Sequence, residues 1–114
     1  MNKKTKEITE KSEIARLKRI YKNLPPNEFA VAQGLIVQAA RLRVRLNRLW
    51  TDIQENGETE MFSQSANTEP YQRERPAARL FTATDKNYQS IIKQLNELTP
   101  PSEKKSKLAE LMKE

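Results

Sequence analysis

Residues 26–56 read PNEFAVAQGLIVQAARLRVRLNRLWTDIQEN, and this stretch decides the fold. Leu35, Ala39, Leu42, Leu46, Leu49 and Ile53 recur at alternating spacings of four and three, which sets them on one face of a helix as a coiled-coil-like seam. Residues 41–46 (RLRVRL) also alternate with period two, as a half-buried strand would. The heptad continues on both sides of them without a turn signal until Asn56-Gly57, so the helix reading prevails. About 30 residues at 1.5 Å each make a rod of about 45 Å. A small domain cannot cover such a rod alone, so a neighbouring helix and further subunits are expected against it.

On the N-terminal side, Pro25-Pro26 ends a first helix expected over about Thr9 to Leu24, with Ile14, Leu17, Tyr21 and Leu24 on one face. Pro26 suits the first turn of the following helix, and Asn27 is placed to cap it. On the C-terminal side, residues 57–75 show no helical period and are rich in Glu, Thr, Ser, Asn and Gln. They read as a long polar loop in which Met61, Phe62 and Tyr71 are candidate docking points. A third helix is expected from Pro76 to about Leu98, where Phe81, Tyr88 and Leu95 interleave with Thr84, Ile91 and Leu98. Its face matches that of the second, so the two form an antiparallel hairpin. Pro100-Pro101 closes it, leaving a tail anchored only by Leu108, Leu111 and Met112.

The expected architecture is therefore all-α: a basic N-terminal helix followed by a hairpin of two long helices. Residues 1–8 form a disordered basic start, 9–99 a single helical domain, and 100–114 a C-terminal tail or docking helix. Leu, Ile, Val and Phe together supply 24 of the 114 residues, close to the level of about 20% at which chains lose a stable core. Part of the chain should accordingly lie outside any core.

Charge is uneven. The net charge is +6, and residues 1–24 alone carry eight basic and three acidic groups. Lys11, Arg16, Lys18, Arg19 and Lys22 are assigned to the exposed surface of the first helix, as candidate phosphate contacts. Arg41, Arg45 and Arg48 form a second stripe at spacings of four and three, with Arg43 on the opposite side. Two readings of that stripe stand: guanidinium forks on phosphates, or solvated groups paired with neighbouring carboxylates. Trp50 could stack on a base, but beside Leu49 and Ile53 it reads as a packing residue.

Chemical equipment is sparse. Cys and His are absent, which removes thiol nucleophiles, imidazole bases and the common transition-metal ligands. Only two aspartates, Asp52 and Asp85, are present, and Glu58, Glu60, Glu69 and Glu74 fall in the polar loop. No phosphate-binding Gly-rich loop occurs either. The expectation is a protein without catalytic residues, metal or cofactor. No apolar run reaches the length of a signal or a membrane span, so a soluble intracellular protein is expected, with no membrane partner.

The order of features from Leu24 to Ser102 resembles the small subunits of phage terminases of the cohesive-end siphophage type. The resemblance is carried by Leu24-Pro25 before the long helix, Trp50 and Gly57 near its end, Pro76-Ala77 opening the next helix, and Leu98-Thr99-Pro100-Pro101-Ser102 after it. The chain departs from the family pattern at Glu97 and Glu103, where Gly and Arg are usual, and at Arg75, where an Asn commonly precedes the proline. The resemblance implies a ring-like homo-oligomer in the cytoplasm of an infected bacterium. It would engage double-stranded viral DNA and stimulate a large terminase subunit that holds the ATPase and nuclease. The oligomer contacts would then come from Leu35, Leu42, Leu46, Leu49, Trp50, Ile53, Phe81, Tyr88, Ile91 and Leu95, and Leu108, Leu111 and Met112 would dock the large subunit. The alternative from a different class is a helical phage or phage-satellite adaptor that binds another packaging or repressor protein.

Overall fold

The computed structural model describes residues 7–100 and 110–112. The expected disordered start, but for Glu7 and Ile8, and most of the tail, including Leu108, lie outside the described residues. The described residues form α1 (Glu10–Ile20), α2 (Pro26–Asn56) and α3 (Pro76–Glu97), and residues 110–112 are helical as well. Between α2 and α3 stand two strands, β1 (Thr59–Phe62) and β2 (Tyr71–Glu74). The fold is thus mostly helical but not all-α.

Helix α1 begins where Thr9 and Ser12 cap each other's backbone: Thr9 Oγ1 accepts from Ser12 N and Ser12 Oγ from Thr9 N, both at 3.1 Å. The helix stops at Ile20, short of the expected Leu24, because 21–24 tighten into a turn ahead of Pro25. Pro25 itself caps α2 with extended backbone (φ −56°, ψ 156°) and Pro26 takes the first helical position, so Asn27 is inside the helix and is not the cap. Helix α2 then runs unbroken for 31 residues through the alternating RLRVRL segment. It ends at Gly57, whose φ of 85° suits a residue without Cβ.

Helix α2 packs chiefly on α3, and α1 packs on α2. Along the seam Ala39, Leu46 and Ile53, seven residues apart, are buried, while Leu35, Leu42 and Leu49 are half-buried. Nearer the start of α2 a second buried face appears at Ala32, Ile36 and Ala40, where the two alanines allow a close approach and Ile36 fills the core. Here Leu17, Ile20, Tyr21 and Leu24 join Ala32, Ile36, Ala39 and Leu95 in one core. That end of the molecule has three helical layers. Leu111 packs against the same core, whereas Met112 is exposed.

Residues 57–75, expected as a structureless loop, form an antiparallel hairpin with Thr59 opposite Glu74, Glu60 opposite Arg73, Met61 opposite Gln72 and Phe62 opposite Tyr71. Cross-strand side chains hold it. Arg73 donates to Glu60 at 2.8 Å, the Phe62 and Tyr71 rings meet edge to face at 5.9 Å, and the Arg73 guanidinium sits 3.6 Å from the Phe62 ring centre. Phe62 and Tyr71 therefore dock on each other. Of the three suggested docking points Met61 is the most exposed, at 65%. The tip is closed by Ser63, whose single hydroxyl proton is within reach of the carbonyls of both Ser65 and Thr68.

Candidate nucleic-acid interface

The α1 face that packs on the core fixes which cations reach solvent. Lys11 and Lys18, seven residues apart, share one side of α1 with Arg19 beside them, Lys22 follows in the turn after the helix, and all four are exposed. Arg16 does not belong to this set. It is only 8% exposed, because it falls on the same side as Leu17 and Ile20, and its guanidinium lies 3.0 Å from the buried carboxylate of Glu13. Its assignment as a phosphate contact is corrected: the side chain is spent on an internal ion pair. The Glu13 to Arg16 spacing of three carried that pairing in the sequence.

On α2, Arg41, Arg45 and Arg48 are all exposed and form the expected ridge, and Arg43 is half-buried on the other side. Arg41 and Arg45 line two grooves at once. One, with Gln38, Leu42, Asn87 and Ile91, runs between α2 and α3. The other lies toward the start of α1 and also takes in Arg48. Arg41 Nε donates to Glu10 Oε2 at 3.2 Å across this second groove. The contact brings the beginning of the α1 stripe beside the ridge. Nothing in the local sequence signals it, because the two residues are 31 apart. The carboxylate-paired reading holds at Arg41, while among the described residues Arg45 and Arg48 hold no ion pair.

The expected assembly residues divide in the same way. Leu95 is fully buried and Leu46 and Ile53 are only 8% exposed, so their side chains are taken up by the chain's own packing, which corrects their assignment as oligomer contacts. Leu35, Leu42, Leu49, Phe81, Tyr88 and Ile91 are half-buried, and Trp50 is 46% exposed. Trp50 leans on Phe81, ring centres 5.6 Å apart, and both line an open groove that includes Arg43, Leu46, Asp85 and Tyr88. Leu80 stands more than half exposed on α3. Leu111, expected to dock a partner, packs on the core instead and leaves Met112 as the exposed member of the tail set among the described residues.

The carboxylates do not converge. Asp52 binds Asn56 and Arg75, which hold its carboxyl below the usual carboxylate range, the Asn56 amide contributing most. Asp85 accepts from Gln89. Among the described residues no group of three or more His, Cys, Asp or Glu could hold a metal ion. No helix of the described residues is long and apolar enough to cross a membrane. No protein-family model, curated protein or solved structure matches the chain at a significant level.

Proposed function

We propose that the chain is a terminase small subunit: a non-catalytic homo-oligomer, ring-like in form, that engages double-stranded viral DNA and presents it to the large terminase subunit in the host cytoplasm. The observation that carries the reading is the exposed set Lys11, Lys18, Arg19 and Lys22, whose N-terminal end lies beside the ridge of Arg41, Arg45 and Arg48. Helix α1 spans about 16 Å along its axis, the rise of about five base pairs, so its cations can follow a short run of backbone phosphates. Support also comes from where the terminase-like residues fall. Leu24-Pro25 form the α1–α2 turn, Gly57 follows α2, Pro76 starts α3, and Leu98-Thr99 follow its last residue. Arg75, which departs from the family pattern, donates to the Gly57 carbonyl at 2.7 Å and to Asp52 at 3.0 Å, tying the end of α2 to the start of α3.

The test is duplex binding across a range of salt. Charge reversal at Lys18 and Arg19 should weaken binding and flatten the salt dependence by about two units of logarithmic slope, since each phosphate contact contributes about 0.9. An unchanged slope would remove α1 from the interface. The exposed Met61 of the hairpin favours a second reading, an adaptor that meets another protein with little DNA affinity. Firm capture of the large subunit without retention of duplex would establish that reading instead.

A further inference from the structure

The groove between the start of α1 and the arginine ridge already contains negative charge of the chain's own. It encloses about 390 Å³, and its lining includes Glu7, Ile8, Glu10, Arg41, Arg45 and Arg48. The reciprocal cap of Thr9 and Ser12 fixes the first turn of α1, and with it the place of Glu10, whose carboxylate meets Arg41 at 3.2 Å. Both side chains of that pair are about half exposed or more, at 47% and 66%, so water and competing ions reach the contact. An exposed pair of this kind holds weakly. A phosphodiester presents two non-bridging oxygens, sharing one negative charge, to the same guanidinium fork and can replace the glutamate.

We propose that Glu7 and Glu10 are a built-in occupant of the arginine groove, which a nucleic-acid backbone must displace to reach Arg41, Arg45 and Arg48. The proposal rests on the nucleic-acid reading given above and adds a control on it. Three arginines against two glutamates leave the groove positive, but less so than the ridge alone. A polyanion that engages all three guanidinium groups, which span about 10 Å, displaces the carboxylates more readily than a single small anion. Binding is thereby coupled to release of the α1 start.

The experiment compares wild-type protein, E10Q, E7Q/E10Q and the distant pair E55Q/E58Q, titrated with a short DNA duplex and separately with tripolyphosphate. Circular dichroism establishes that each variant is folded. The groove variants should bind both probes about two- to fivefold more tightly, the range set by an exposed ion pair. The salt slope for the duplex should steepen by about one. E55Q/E58Q makes the same change in net charge at the far end of α2 and should gain less. In an R41Q background E10Q should have no effect, because the arginine that Glu10 occupies is gone. Equal gains from the two glutamate pairs, no gain from the groove variants, or a gain that survives R41Q would each overturn the proposal. If the duplex binds no better than tripolyphosphate while the E10Q gain on tripolyphosphate persists, the nucleic-acid reading fails and the masked groove stands.

Discussion

Tyr21 is fully buried in the core, and its O–H donates to Asn96 Oδ1 at 2.8 Å. Burial, and after it the neighbouring Tyr88, pushes its pKa up to about 12, with Arg16 pulling modestly the other way. The folded state therefore retains the phenol proton where the unfolded chain, near 10, has begun to lose it. The stability linked to this group is fully present below about pH 10 and is lost as the pH rises toward 12. Urea unfolding across that window should show the decline in wild type and less of it in Tyr21→Phe. At neutral pH the same variant should lose about 1–2 kcal/mol, since Asn96 is left without its donor. A variant equal to wild type at both pH values would show that the hydrogen bond contributes nothing. Arg16 shows the limit of reading single residues: its charge suggests solvent, and only the fold of α1 onto α2 puts it inside.

At the scale of elements, the junction of α2, the hairpin and α3 depends on two positions. Gly57 combines φ 85° with ψ 178°, a backbone region that essentially only glycine occupies, and a Cβ there would touch nothing within 4 Å. Gly57→Ala should therefore cost about 1–3 kcal/mol from backbone strain alone, measured as a shift in the denaturation midpoint. Arg75→Ala removes the tie to Gly57 and Asp52, and should raise amide exchange across 59–62 while leaving α2 protected. Acid should loosen the same junction, because the contribution of Asp52 is present above its ordinary value of 3.8 and is lost as the pH falls through its lowered one. The bounds of α2 and α3 were legible because Pro26, Gly57 and Pro76 act on the backbone locally. The hairpin was not. Its strands are four residues long and mostly polar, and the pairs that hold it, Glu60 with Arg73 and Phe62 with Tyr71, are 13 and 9 residues apart. The exposure of Lys11, Lys18, Arg19 and Lys22 was legible in the sequence, whereas the burial of Arg16 and the Glu10–Arg41 contact needed the tertiary fold.

For the molecule as a whole, α1 is about 16 Å long against about 46 Å for α2, so it covers only one end of the helical hairpin. Over the remainder two layers must suffice, and there Trp50 and Leu80 stay about half exposed. Self-association is expected to use these residues. Trp50→Ala with Leu80→Ser should lower the mass seen by light scattering at tens of micromolar while changing the unfolding midpoint little, because half-exposed side chains contribute less to the folded chain itself. A large loss of stability at unchanged mass would instead assign Trp50 to the chain's own packing. The uninterrupted length of α2 has a mechanical consequence as well. Helix α1 holds α2 as far as Arg41 and the β-hairpin follows Asn56, about 22 Å further on, so the helix acts as a lever: a tilt of about 5° at Arg41 sweeps the hairpin through about 2 Å. A small rearrangement beside the basic surface would be delivered, amplified, at the far tip.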